Sequence, residues 1–281
     1  MATKISADGL PGSSATDDLR SLHRKSLAIL KRLQTHALDP ETGEKAGPTF
    51  PISKAAELVD RTASAIREAE RDGRLPERSR TPSGHRLPYN LTELDKMRKV
   101  FGTRPWRDPE DTPAIISVSN FKGGVGKSTI AVHLAQHFAI KGYRTLLVDC
   151  DSQASSTMMF GYRPEIEFAE SGTVYDALKY DDPVPLSQVI RKTYFHNLDL
   201  APAGLLLSEY ETETAYALQH RVDPPFTQRL AIALDEVEAN YDLVIIDCPP
   251  QLGFTTMTAL LASTGLLITV VPSMLDVASM A

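Results

Sequence analysis

Eight consecutive residues, Lys122–Thr129 (KGGVGKST), bring two lysines, three glycines and two hydroxyls to where a polyphosphate could be held. Gly123, Gly124 and Gly126, with Val125 among them, leave a turn whose backbone N–H groups can surround an anion. A helix starting directly behind adds the positive end of its dipole. Lys127 can reach the β- and γ-phosphates, the Ser128 hydroxyl suits Mg²⁺, and Thr129, one step into the helix, can bond the α-phosphate. The ordinary G-x-x-x-x-G-K-[ST] loop would have glycine at position 121; Phe121 stands there instead, and a second lysine, Lys122, follows it. Carboxylates lie further along. Asp149 and Asp151 end the run RTLLVDCD, and Asp247 ends DLVIID. Aspartates at the carboxyl end of a strand leave their sheet at the crevice where ligands bind.

These residues need elements to position them. AIISVSN (114–120) reads as a buried strand, and KSTIAVHLAQHFAIKG (127–142) as an amphipathic helix closed by Gly142. From Ala114 onward, β-branched runs alternate with helical stretches: AIISVS, RTLLVD, LDLAPA, DLVIID and LLITVVP. That alternation predicts parallel βαβ units. The expected fold class is α/β, a P-loop NTPase with a mostly parallel doubly wound sheet over residues 114–281. From Cys248 to Leu275 no residue is charged, a length that would suit a membrane span, but Pro249, Pro250, Gly253, Gly265 and Pro272 interrupt it. It reads as a loop, a buried helix and a buried strand.

The loop Lys122–Thr129 is the deviant Walker A form, and through it the chain resembles the ParA/MinD family of P-loop ATPases. The resemblance implies ATP and Mg²⁺ as ligands and a homodimer closed face to face around two nucleotides. Lys122 would then cross the interface to the partner's phosphates, while Lys127 holds its own. Asp151 matches the residue that positions the attacking water, with Asp149 supporting the magnesium shell. Asp247 matches the Walker B carboxylate that holds the metal through water, and the following PPQLG resembles switch II. Such a site positions and stabilises charge, so slow, regulated hydrolysis is expected. The nitrogenase iron protein shares this loop but needs cluster-ligand cysteines. Cys150 and Cys248 instead sit inside the aspartate motifs, which excludes that relative.

Ahead of this lies a different composition. Residues 1–110 carry 20 Lys and Arg against 16 Asp and Glu; residues 111–281 carry 10 against 20. A locally basic module joined to an acidic one suggests nucleic acid at the front end. Residues 1–16 read as a disordered tail. Residues 17–49 form a helix (Asp17–Leu38) and linker, the helix either packing on its own domain or pairing with a second copy. Residues 50–101 resemble the winged helix-turn-helix of MerR-type regulators: a helix from Ser53 to Val59, a turn at Asp60 and Arg61, and a second helix over Ala63–Arg71 capped by Thr62. A hairpin wing with its tip at Ser83-Gly84 and a closing helix over Leu91–Phe101 complete it. This small, mainly α domain would offer Ser64, Arg67 and Arg71 to the major groove and Arg78, Arg80 and Arg86 to phosphates. Pairing of some arginines with Glu68, Glu70 or Glu77, in a helical packing domain without DNA, is the alternative. NLT at Asn90 matches a glycosylation acceptor only by chance, because no secretory route precedes it. Residues 102–113, with three prolines, form the linker.

The two parts together resemble the larger ParA-type partition ATPases of low-copy plasmids. That implies operator-specific and non-specific DNA binding, autorepression of the partition operon, and a centromere-binding ParB-type partner that stimulates hydrolysis. Two cysteines make no disulfide framework and the first twenty residues lack a signal peptide's apolar core, so the expected location is cytoplasmic and nucleoid-associated, with no membrane role. An ATP-liganded transcriptional regulator without transport, or a MinD-like positioning ATPase, are the other readings. The chain stops at VPSMLDVASMA, one or two turns into an expected helix, and so reads as C-terminally truncated.

Overall fold

The computed structural model describes residues 46–105, 107–108 and 110–271, together with Arg20, Ser21, Arg24 and Lys25, which are helical. The expected tail, nearly all of the 17–49 segment and the helix expected after the last strand lie outside the described residues. Gly47 onward is one compact unit.

That unit opens with β1 (Thr49–Phe50), α1 (Ile52–Leu58), α2 (Ala63–Arg71), β2 (Tyr89–Asn90) and α3 (Leu91–Phe101). Thr62 caps α2 by accepting from the Ala65 amide, and the 79–87 hairpin turns at Gly84, closed by an antiparallel bridge between Arg80 and Arg86. Asn90, the glycosylation look-alike, is a helix cap. Its Oδ1 accepts from the Glu93 amide at 2.9 Å, while the Glu93 carboxylate accepts from the Asn90 amide at 2.8 Å. This reciprocal pairing satisfies two N–H groups and starts α3.

There follow β3 (Ala114–Ser119), α4 (Lys127–Lys141), β4 (Thr145–Asp149), α5 (Ser155–Met159), α6 (Pro164–Glu167), α7 (Val174–Leu178), α8 (Leu186–Val189), β5 (Arg191–Lys192) and β6 (Leu198–Ala201). The last described elements are α9 (Glu209–His220), α10 (Phe226–Asp235), β7 (Leu243–Asp247), α11 (Phe254–Leu261) and β8 (Gly265–Ile268). The six-stranded sheet runs β5-β6-β4-β7-β3-β8, parallel except for β5 against β6. All five residues of β4 and of β7 are buried, as strands covered on both faces must be. Leu146, Val148, Val244 and Ile246 face one core, Leu147 and Ile245 the other. Cys248–Leu275, whose length suited a membrane span, is a loop followed by α11 and β8 as far as it is described, and no described helix is long and apolar enough to cross a membrane.

The core beneath α4 is continuous with that of the front module, joining Ala131 and Ala135 to Ile66, Leu94 and Met97. Arg98 of α3 is the polar element of this junction and is 1% exposed. Its Nη2 donates to the Leu58 carbonyl at the end of α1 (3.1 Å) and to the Ile140 carbonyl at the end of α4 (2.5 Å). Gly142, in the left-handed region at φ +99°, makes room, since a Cβ there would stand 2.9 Å from the Arg98 side chain. Beside it, His196 at 3.5 Å, with Lys99 and Arg104, holds the buried Asp95 carboxyl well below the usual carboxylate range.

Replacing Arg98 with methionine keeps the apolar stem but leaves two half-buried carbonyls without their donor. A loss of about 2–4 kcal/mol is expected in urea unfolding, from the cost of unsatisfied half-buried acceptors. An unchanged midpoint would show that the junction does not depend on this guanidinium.

Candidate functional site

The strand-to-helix loop begins with Asn120, whose Oδ1 accepts from the Lys122 amide (2.8 Å) while its Nδ2 donates to the Thr269 carbonyl (2.6 Å). One side chain thus ties the loop's entry to the chain leaving β8. Gly126 ends the loop at φ +82°, a left-handed conformation that a Cβ would strain by roughly 1–2 kcal/mol. Its carbonyl accepts the first bond of α4, from the Ile130 amide. Val125 is buried and anchors the loop, while Phe121 and Lys122 are exposed. Lys127, only 7% exposed, donates from Nζ to the Lys122 carbonyl at 2.9 Å. Burial lowers its pKa, opposed by the nearby Asp247 and Asp151 carboxylates.

Beside this loop opens a cleft of about 580 Å³, lined by Gly123, Gly124, Gly126, Lys127, Ser128, Thr129, Asp151, Ser155, Met158, Met159 and Pro250. Six of the expected anion-binding residues, Gly123, Gly124 and Gly126–Thr129, thus line one cleft with Asp151, while Lys122 and Val125 are not on its lining. The Asp151 Oδ1 accepts from the Gln153 amide at 3.0 Å, which sets the plane of its carboxylate.

The other two aspartates lie side by side, because Asp149 pairs with Asp247 in the β4–β7 register. Both are fully buried, and burial raises the pKa of each, reinforced by charge repulsion from a neighbouring carboxylate. Asp149, expected to support the magnesium shell, has both carboxylate oxygens engaged inside the protein. Its Oδ2 accepts from the Thr157 amide and hydroxyl, both at 2.8 Å, and its Oδ1 from the Asp151 amide at 3.1 Å. With three donors it is an internal brace for the 151–157 segment; neither it nor Asp247 is on the cleft lining. Asp247 is different. Its Oδ2 accepts from the Ser156 hydroxyl at 2.7 Å, but its Oδ1 is buried with no hydrogen-bond partner. The Ser128 hydroxyl lies close enough to lower the Asp247 pKa. An orphaned carboxylate oxygen beside a serine hydroxyl under a phosphate-type loop is the donor set a hard divalent cation takes, completed by phosphate and water. These residues fit Mg²⁺.

Ser156, Thr157 and Asn120 are site residues that the sequence motifs did not single out. The SST after the aspartate pair was the available signal for two of them. Glu211 is a further one: its carboxylate accepts from the Phe254 and Thr255 amides (2.8 and 2.9 Å) and fixes the start of α11, just beyond the loop that carries Pro250.

On the front module, Ser64, Arg67 and Arg71 are exposed along α2, and Arg80 is exposed on the hairpin, donating to the Gly84 carbonyl. Arg78 and Arg86 depart from the phosphate-contact expectation. Arg78 is tied to Glu93 and to the Leu87 and Pro88 carbonyls, and its guanidinium stacks over Tyr89. Arg86 is bonded to Glu70 and Tyr89. Both hold the hairpin onto α2 and α3; the Arg86–Glu70 pair is one of those weighed above, whereas Glu93 was not among the partners considered for Arg78.

A family model described as an AAA domain matches residues 113–280. A Rhizobium rhizogenes protein provisionally named replication protein A is 40% identical over 274 residues, 92% of this chain and 67% of that protein. Protein SopA of Escherichia coli is 34% identical over 249 residues, 86% of this chain and 63% of SopA. A solved Borrelia burgdorferi structure, provisionally titled a plasmid partition protein bound to AMPPNP, aligns at 31% identity with a TM-score of 0.51, covering 60% of this chain and 68% of that one. The chain thus spans about two thirds of the length of the curated relatives it matches. From the deviant phosphate loop, the strand-end carboxylates and these likenesses together, the chain belongs to the ParA/Soj/SopA-like family of partition ATPases.

Proposed function

We propose that this chain binds and slowly hydrolyses ATP with Mg²⁺, dimerises when ATP is bound, and serves plasmid partition while repressing its own operon through the front module. The observation that carries the reading is the cleft where the buried Lys127 ammonium, Ser128 and Asp151 meet the glycine loop, with the half-satisfied Asp247 buried close to Lys127 and Ser128. AMPPNP in the Borrelia relative supports an adenine nucleotide as the occupant.

Each residue has a task in this reading. The amides of the loop and of the first turn of α4 bind phosphate oxygens. Lys127 exchanges its bond to the Lys122 carbonyl for one to the β- and γ-phosphates. Asp151, oriented by the Gln153 amide, accepts a hydrogen bond from the attacking water's O–H and so lines its oxygen up with the γ-phosphorus. Ser128 and Asp247 would hold the cation, which would supply positive charge to the phosphate oxygens. Lys122, exposed at the mouth of the loop, supplies positive charge to the partner subunit's nucleotide. Ser64, Arg67, Arg71 and Arg80 remain as the DNA-facing set, α2 entering the major groove. A ParB-type centromere-binding protein stimulates turnover, and the protein works in the cytoplasm on the nucleoid.

Lys127→Ala is expected to weaken ATP binding about 100-fold in calorimetry, the effect of losing a charge-assisted bond in a buried site. Wild-type affinity would sink the nucleotide assignment. Lys122→Ala should bind ATP as a monomer yet fail to dimerise, so that light scattering with ATP gives the monomer mass; an ATP-dependent dimer would remove its role in trans. The double variant Arg67→Ala, Arg71→Ala should lose roughly 10- to 100-fold in operator affinity with ATPase turnover intact. Unchanged footprinting would leave the front module without its DNA function.

A further inference from the structure

We propose that Ser156 is a positioning residue for the divalent-cation site, aiming Asp247 by occupying one of its two carboxylate oxygens. This rests on the Mg²⁺–nucleotide reading of the cleft.

The argument begins with the asymmetry of Asp247. Its Oδ2 takes the Ser156 hydroxyl at 2.7 Å while Oδ1, equally buried, takes nothing. A carboxylate rotates readily about its terminal torsion, so two free oxygens would compete for the cation in several orientations. A hydroxyl bonded to one oxygen leaves the other as the single metal-facing atom. Ser156 is itself completely buried, and its position is over-determined. The turn before it is closed by the Ala154 amide on the Asp151 carbonyl at 2.8 Å, with Ala154 in the left-handed region at φ +53°. The residue after it, Thr157, is bonded to Asp149 through both amide and hydroxyl, and its Oγ1 accepts from the Ala203 amide at 3.0 Å. Ser156 therefore sits between two pinned residues on α5 and cannot follow Asp247 if the carboxylate turns. Its hydroxyl is a fixed reference against which the Walker-type aspartate is set, and it links β7 to the segment that carries Asp151. Outer partners that orient metal ligands in this way are typically worth 10- to 100-fold in metal affinity.

The test titrates Mg²⁺ into protein with ADP and measures, separately, ADP affinity in EDTA. Ser156→Ala should raise the Mg²⁺ midpoint about 10- to 100-fold while leaving the EDTA affinity within about twofold of wild type. Ser156→Thr, which keeps the hydroxyl, should restore the midpoint. Ser156→Cys, close in size but a weak donor, should raise it too and serves if the alanine variant does not fold. A midpoint unchanged in Ser156→Ala or Ser156→Cys overturns the proposal, as does an equal loss in EDTA with a lowered metal-free melting temperature, which would mark a merely structural residue. If the wild-type protein itself shows no Mg²⁺-dependent ADP binding, the proposed function fails first and this inference with it; wild-type dependence with an unaltered variant removes this inference alone.

Discussion

Two carboxylates buried side by side at the ends of adjacent strands are the constraint around which the site is built. Asp149 and Asp247 occupy the same level of the β4–β7 ladder. Parallel pairing puts their side chains close together, and burial denies them water, so each carboxylate must find donors within the protein. The chain answers unequally. Asp149 receives three donors from Thr157 and the Asp151 amide, whereas Asp247 receives one, from Ser156, and keeps an oxygen without a partner. What remains unsatisfied is a place for positive charge. Lys127 stands near, and a cation held by Asp247 and Ser128 would complete the balance.

The same constraint explains why the segment after β4 turns so abruptly. Residues 151–157 must bring Asp151 to the cleft, Ser156 to Asp247 and Thr157 to Asp149 within seven positions. A left-handed Ala154 followed by the short helix α5 achieves this. Functional and bracing side chains then alternate along one short piece of chain.

The helix α4 extends this logic across the molecule. Its first turn forms the floor of the cleft, and its last turn gives the Ile140 carbonyl to Arg98 of the front module. With the apolar core continuous beneath it, the module is attached to the helix that carries the phosphate loop. Its outward residues Ser64, Arg67 and Arg71 are thereby held in a defined direction with respect to that helix.

Much of this was legible in the sequence because it is local. A glycine loop between a β-branched run and an amphipathic run needs no distant information; β3, α2 and α4 begin and end at or within a residue of where caps and periodicity put them, and α3 where the winged-helix resemblance put it. The strand-end positions of Asp149 and Asp247 follow from the same apolar runs. Their division of labour does not: which aspartate is braced and which is left open depends on Ser156, 91 positions from Asp247 in the chain. Pairing of Arg86 with Glu70 was one of the alternatives open in the sequence, but only the fold brings Glu93 to Arg78. Arg98 gives no sign in sequence of lying at a junction 42 residues away. Residue types and short spacings determined the class of chemistry and the elements that carry it. Only the packing of distant segments decided which charged groups meet a ligand and which meet each other, because burial and pairing are properties of the folded neighbourhood and not of the residue.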